Sequence, residues 1–159
     1  MTDDFIGQAL DWQRTDDIIT VSLHRDPCNE IGSVMLDELE RLANHLREGA
    51  NGARALVWTS QLKSGFSAGA DLRELQGKLA KAYETRERLA DEVKRRMPTT
   101  PLDSLAPVAK KSAKAALDAV QLRPVKKFVE RIHRVFDTFD ETPIPTVAAV
   151  HGVCFGGGL

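Results

Sequence analysis

Two short apolar runs, each followed at once by a glycine-bearing loop, constrain the fold of this chain more than any other feature. Ala53 to Thr59 leads into a polar loop from Ser60 to Gly69, and Thr146 to Val150 leads into the glycine-rich segment from His151 to Leu159. Runs of this length and composition predict buried strands. Free backbone N–H groups concentrate where such strands lead into helices, and the helix dipole favours negative charge there. The pattern therefore predicts an α/β protein with two loops suited to binding an anion.

The front of the chain predicts two strands and one helix. Ile18 to Leu23 is β-branched and predicts a strand, with Leu10 to Arg14 as a candidate partner strand. Ser33 is the predicted N-cap of an amphipathic helix that ends at Gly49. The polar face of this helix is predicted to carry Asp37, Glu38, Glu40, Arg41 and Arg47.

The region between the two loops is predicted to be mainly helical. A helix is expected to begin near Asp71 and to run toward Met97, and the prolines from Pro98 to Pro107 predict a loop. Val108 to Val120 is a further helical candidate. Pro124 fits the first turn of another helix, because the missing N–H of proline costs nothing there. The strand–helix–strand order favours mostly parallel pairing.

Charge is distributed unevenly along the chain. There are 16 lysines and arginines against 8 aspartates and glutamates between Arg73 and Arg134, although the whole chain carries a formal net charge of only -1. We therefore predict neither a nucleic-acid nor a membrane partner. No apolar run approaches the roughly 20 residues of a membrane helix, and the acidic start lacks a signal-peptide pattern, so a cytoplasmic protein is predicted. The two cysteines show neither metal spacing nor a disulfide framework.

The two loops have a structural interpretation and a functional one. Three glycines before a helix often form a tight turn, and Asp71 can simply cap a helix. The functional interpretation is an oxyanion hole, in which N–H donors from both loops converge on one oxygen and stabilise an enolate or a tetrahedral anion. Neither loop is a dinucleotide fingerprint or a phosphate loop.

Together and in this order, the segments Phe66 to Leu72 and Gly156 to Leu159 resemble the paired signature of the enoyl-CoA hydratase/isomerase (crotonase) superfamily. Pro145 to Gly152 also resembles the strand that precedes the second segment in that family. The resemblance implies a crotonase-like spiral of ββα units, incomplete at the C-terminus. Residues 1–159 would then be the N-terminal part of one domain, with a long basic helical insertion at about 75–130.

The resemblance also implies which residues form the site. The oxyanion donors would be the backbone N–H groups of Ala70 and Gly157. The residues implied around the substrate are Phe66, Ser67, Ala68, Gly69, Asp71, Leu72, Gly156 and Gly158.

The implied ligand is an acyl-CoA thioester, and the favoured activity is that of an enoyl-CoA hydratase, a lyase of fatty acid metabolism. An enoyl-CoA isomerase or an acyl-CoA hydrolase of the same superfamily is an alternative, and so is a non-catalytic CoA-binding or scaffold subunit. No cofactor is implied, since coenzyme A is part of the substrate. The family usually assembles as trimers or dimers of trimers, so a homotrimer or hexamer is expected for the full-length protein.

Two departures from the family pattern qualify these expectations. The glutamate of the second family segment would fall one residue after Leu159, and the second catalytic carboxylate lies further on, so this chain is expected to be inactive alone. The second departure is the basic insertion, which is interpreted as a solvated helical excursion. A sharper hypothesis is that Lys126 and Lys127 steer the CoA phosphates, and a subunit contact is a third possibility.

Other candidate chemistry is weaker. Ser67, Asp71 and His151 form a conceivable nucleophilic triad, but no nucleophile elbow surrounds the serine. Glu74 is a further candidate for an acidic side chain that reaches the substrate. The phenylalanines of the 124–141 segment are assigned to the core, and the four histidines lack metal-ligand spacing.

Overall fold

The computed structural model describes residues 4–96 and 107–158. The predicted loop from Pro98 to Pro107 therefore lies almost entirely outside the described residues. The chain divides into two compact units, one formed by Met1–Asp71 and Arg131–Leu159 and the other by Leu72–Glu130. The second unit covers nearly the same range as the predicted helical insertion.

Seven strands are found in the described residues, all of them in the first unit. They are β1 (Phe5–Ile6), β2 (Leu10–Thr15), β3 (Ile18–Leu23), β4 (Ala55–Ser60), β5 (Gly65–Ser67), β6 (Thr146–Ala148) and β7 (Val153–Cys154). Five of them form a sheet in the order β1-β2-β3-β4-β6, while β5 and β7 pair with each other. The β1-β2 and β2-β3 pairs are antiparallel, and the β3-β4, β4-β6 and β5-β7 pairs are parallel.

Three α-helices complete the described fold. They are α1 (Ser33–Arg47), α2 (Leu72–Arg96) and α3 (Pro107–Asp140), and 3₁₀ turns stand at Ala50–Gly52 and Gly156–Gly158. α2 and α3 up to Glu130 belong to the second unit, and the rest of α3 belongs to the first.

The core of the first unit comes from α1 and from one face of the central strands. Its fully buried side chains include Leu10, Ile19, Val21, Met35, Leu36, Leu42 and Leu56. Burying a side chain of this size contributes about 1.5–3 kcal/mol, so these positions hold the sheet and the helix together. The predicted strands at Ile18 to Leu23 and Leu10 to Arg14 are confirmed.

An ion-pair cluster connects α1 to the C-terminal part of α3 within the first unit. The Arg131 guanidinium lies 2.7 Å from Glu40 Oε2 and 2.6 Å from Asp37 Oδ1. Its hydrogen bond lowers the pKa of Glu40 below the ordinary 4.5, against the opposing effect of burial. The same two carboxylates raise the pKa of Arg131, which keeps its charge throughout the accessible pH range.

Two predictions about α1 were wrong. The N-cap is Gly32, which has no side-chain cap, and Ser33 is the first helical residue. Glu38, expected on the solvated face, is buried because its carboxylate accepts N–H groups from Gln8 (2.6 Å), Ala9 (3.0 Å) and Leu10 (2.9 Å). A buried carboxylate needs such donors, and these come from the turn between β1 and β2 and from the first residue of β2.

Three further predictions are corrected. Pro124 lies inside the continuous helix α3 rather than in a first turn. An interior proline costs a helix about 3 kcal/mol, because it removes one N–H donor and its ring clashes with the preceding turn. β6 was expected to be buried, yet all its residues are exposed, and it is the edge strand of the five-stranded sheet. The loop from Ser60 to Gly69 contains the short strand β5, whose partner β7 is remote in sequence.

The second unit consists of α2 and the first part of α3. Phe128 is buried there, and the Lys78 ammonium group lies 4.9 Å from the centre of its ring. Glu74 pairs with Lys78 one turn along α2, and Lys126 lies 3.7 Å from Glu130 on α3. The predicted helix from Asp71 toward Met97 is confirmed as α2.

Candidate anion-binding site

The first glycine-bearing loop is attached to the short segment between β3 and α1. The Ala68 N–H donates to Cys28 O (2.9 Å), and the Asp71 N–H donates to Ile31 O (3.1 Å). In return, the Ile31 N–H donates to Gly69 O at 2.7 Å. The loop thus runs beside residues 28–31 as an irregular parallel pair, and its backbone orientation is fixed at both ends.

One N–H group in this loop is left available. The Ser67 hydroxyl donates to Asn29 O (2.8 Å) and accepts the Gly69 N–H (3.1 Å). The N–H groups immediately before and after Ala70 are therefore engaged by the protein. The Ala70 N–H itself has no acceptor in residues 4–96 and 107–158.

The second glycine-bearing loop lies against the first. β7 pairs with β5, and the Phe155 N–H donates to Ser67 O at 2.9 Å. The Gly158 N–H donates to Phe155 O at 2.9 Å, which closes the 3₁₀ turn. For the N–H groups of Gly156 and Gly157, no acceptor is found in the described part of the chain.

The two loops approach so closely that glycine is required at two points. Gly69 has φ +81°, and a Cβ added there would lie 2.6 Å from Phe155 O and 3.2 Å from Gly157 N. A Cβ on Gly158 would lie 2.7 Å from the Ser67 Cβ. The available N–H of Gly157 is therefore adjacent to the residue that precedes Ala70.

The one carboxylate within the first loop is neutralised. Asp71 is buried, and its Oδ2 lies 2.8 Å from the Arg25 guanidinium, which also donates to Glu30 O. An unpaired carboxylate here would repel a second anion, whereas an ion pair leaves the loop close to neutral. Sequence reasoning missed Arg25, because nothing in its spacing from Asp71 marks the pair.

A cavity of about 460 Å³ adjoins the second loop. Phe136 and Phe139 of α3 line it, and Phe139 contacts Trp58 edge-to-face at 5.1 Å between ring centres. The remaining lining residues are Leu23, Asn29, Ile31, Met35, Leu39, Phe66, Ser67, Asp140, Thr146, Ala148, Gly156, Gly157 and Gly158. The two phenylalanines were assigned to the core from the sequence, but they are only half-buried. Ala70 is not among the residues that line this cavity, although Phe66 and Ser67 of the same loop are.

The conceivable nucleophilic triad is not assembled. The Ser67 hydroxyl is bonded to Asn29 O, Asp71 is paired with a guanidinium, and His151 Nε2 lies 2.9 Å from Leu62 O. Each side chain thus has a different partner, and a serine that donates to a main-chain carbonyl is not activated by a base.

The other predicted site residues lie as follows. Phe66 is buried, Ala68 is half-buried, and Leu72, at the start of α2, is 71% exposed in the second unit. Glu74, the candidate acid, is engaged with Lys78. Among the residues that the structure describes, no group of three or more His, Cys, Asp or Glu is able to hold a metal ion. None of the described helices is both long and apolar enough to cross a membrane.

Comparison with known proteins gives one curated relative and many solved structures. No family model matches the chain. An enoyl-CoA isomerase/hydratase of Zymoseptoria tritici is 26% identical over 148 residues, which are 91% of this chain and 35% of that protein. The structure of an enoyl-CoA hydratase from Bacillus anthracis matches with TM-score 0.59 and 20% identity, over 95% of this chain and 43% of that one. One from Shewanella pealeana matches with TM-score 0.60 and 20% identity, over 94% and 41%. The chain thus spans about a third of its curated relative.

Proposed function

We propose that the whole protein is a member of the enoyl-CoA hydratase/isomerase (crotonase) superfamily and binds an acyl-CoA thioester, because this chain has a crotonase-like fold and 91% of it matches a relative of that name at 26% identity. In this proposal the N–H groups of Ala70 and Gly157 donate to the thioester carbonyl oxygen and stabilise its negative charge. The favoured reaction is the addition of water to a 2-enoyl-CoA.

The observation that carries the proposal is the pair of available N–H groups on two loops in contact. Every neighbouring donor in the first loop is engaged by the protein, whereas the Ala70 N–H is not. The Gly157 N–H is equally available and lies next to the first loop. Fixed donors that need no reorganisation during the reaction are the most effective way to stabilise an oxyanion, and each contributes about 2.7–4 kcal/mol.

The chemistry that follows needs a proton acceptor and a proton donor. Water attacks Cβ of the conjugated thioester as it loses a proton, the electron pair moves onto the carbonyl oxygen as an enolate, and Cα then takes a proton. The anion hole stabilises the enolate in the middle of this sequence. We assign the acid and base to no residue of this chain, which spans 35% of the curated relative.

Isomerisation of the double bond is the second candidate, since the curated relative is named an isomerase/hydratase. It passes through the same enolate but takes its proton from carbon instead of adding water. The anion hole would serve both reactions without change. The same proposal includes the assembly of three or six copies, which light scattering on the whole protein tests.

The proposal is tested by measuring the ¹³C resonance of the carbonyl carbon in a bound thioester. A saturated acyl-CoA labelled with ¹³C at the thioester carbonyl is added to the whole protein, and its ¹³C resonance is compared with that of the free ligand. We expect a downfield shift on binding, because two N–H donors draw electron density from the carbonyl. Tight binding with an unshifted resonance would instead favour a CoA-binding subunit without an anion hole.

A further inference from the structure

We propose that Asn29 is the positioning residue of this anion hole, and that it sets the orientation of the Ala70 N–H without touching the substrate. The inference rests on the function proposed above. It concerns a residue that the sequence patterns did not single out and that reaches the loop only through the fold.

Asn29 is completely buried and joins three segments of the first unit. Its Oδ1 accepts the Arg25 N–H at 2.8 Å, and its Nδ2 donates to Ser60 Oγ (2.8 Å) and to Phe66 O (2.9 Å). Its main-chain carbonyl accepts the Ser67 hydroxyl at 2.8 Å. The residue thus connects the end of β3, the end of β4 and β5.

These hydrogen bonds determine which N–H group of the first loop remains available to a ligand. The Asn29 carbonyl orients the Ser67 hydroxyl, whose oxygen in turn accepts the Gly69 N–H. Cys28 and Ile31, on either side of Asn29, accept the N–H groups of Ala68 and Asp71. With the donors on both sides engaged, the peptide between Gly69 and Ala70 has little freedom to rotate. The direction of the Ala70 N–H therefore depends on where Asn29 holds the neighbouring segments.

Asparagine suits the position for two independent reasons. The backbone has φ +50°, in the left-handed region that only glycine, asparagine and aspartate enter readily. The side chain must also donate twice and accept once, which an amide does and a carboxylate does not. Aspartate therefore keeps the backbone and loses both donors, whereas glycine keeps the backbone and loses every side-chain bond.

The experiment compares Asn29→Asp and Asn29→Gly with the wild-type whole protein. The matched control is Ser22→Ala, which removes a side-chain hydrogen bond of 3.1 Å between Ser22 on β3 and Thr59 on β4. The readouts are kcat and KM for a 2-enoyl-CoA and the ¹³C shift of the bound, carbonyl-labelled acyl-CoA. Thermal melts confirm that each variant is folded, and the two Asn29 variants differ in folding risk because only aspartate introduces a buried charge.

We expect kcat to fall by about 10- to 100-fold in both Asn29 variants, with KM within about threefold and a smaller carbonyl shift, since misaligned donors lose transition-state stabilisation first. The kcat of Ser22→Ala should match that of the wild type within about twofold, because the hydrogen bond that it removes includes no residue of either loop. A folded variant at Asn29 with wild-type kcat and carbonyl shift would overturn the positioning role. A wild-type protein that shows no carbonyl shift would overturn the proposed function itself, so the two failures are distinguishable.

Discussion

The contact between the two loops can be tested by adding one methyl group at Gly69. An alanine there has two costs. The first is backbone strain at φ +81°, about 1–2 kcal/mol for a residue with a Cβ. The second is overlap, since the new Cβ would lie 2.6 Å from Phe155 O, about 0.8 Å short of an ordinary 3.4 Å contact. The loops must therefore move apart.

Gly52 offers a control that separates the two costs. Its φ is +82°, and a Cβ added there meets nothing within 4 Å. Gly52→Ala should therefore show only the strain, as a lower melting temperature with unchanged turnover. Gly69→Ala should show similar or somewhat greater destabilisation together with a large loss of activity.

The size of that loss follows from the displacement. A misplacement of about 1 Å in a catalytic group costs on the order of 100-fold in rate, or about 2.7 kcal/mol of barrier. Turnover is followed through the ultraviolet absorbance of the conjugated 2-enoyl-CoA, and folding through the circular dichroism melt. If folded Gly69→Ala retained turnover within about threefold of Gly52→Ala, the close approach of the loops would have no part in the site.

Three further predictions follow from the contacts. Glu38→Gln should lower the free energy of unfolding by about 2–3 kcal/mol in a denaturant melt, because three backbone N–H groups lose a charged acceptor; a loss below about 0.5 kcal/mol would contradict this. The ion pair of Glu40 and Arg131 should contribute about 0.2–1 kcal/mol to the free energy of unfolding above pH 4.5, and this contribution should be lost as the pH falls through the lowered pKa of Glu40. Glu40→Gln should therefore remove that part of the acid dependence of the melting temperature. Identical acid profiles of the variant and the wild type would argue against it. Charge reversal at the exposed Lys126 and Lys127 should weaken CoA binding about tenfold at low salt and have little effect near 1 M salt; an unchanged low-salt affinity would remove the steering hypothesis.

Much of the fold could be predicted from local patterns. The β-branched run at Ile18 to Leu23 and the apolar spacing that follows Ser33 marked β3 and α1, and a crotonase-like α/β fold is confirmed. These features depend on periodicity within one segment. β5 could not be found in this way, because it is three residues long and its partner β7 lies far along the chain.

The candidate site was only partly visible in the sequence. The two glycine-bearing segments marked the loops, and the structure brings them into contact at Gly69 and Phe155. Asn29 and the pairing of Arg25 with Asp71 were not predicted, because each depends on segments that meet only in the folded chain. The assignment of Ala70 and Gly157 as oxyanion donors stays a prediction.

The proposed hydration is tested by incubating the whole protein with a 2-enoyl-CoA in H₂¹⁸O and analysing the thioester by mass spectrometry. We expect a 3-hydroxyacyl-CoA heavier by one molecule of labelled water, formed at a rate that Gly69→Ala reduces strongly and Gly52→Ala does not. A thioester whose double bond has moved without gaining ¹⁸O would assign the same anion hole to isomerisation. Recovery of the unchanged enoyl-CoA from a protein that binds it would contradict the claim that these loops stabilise an enolate.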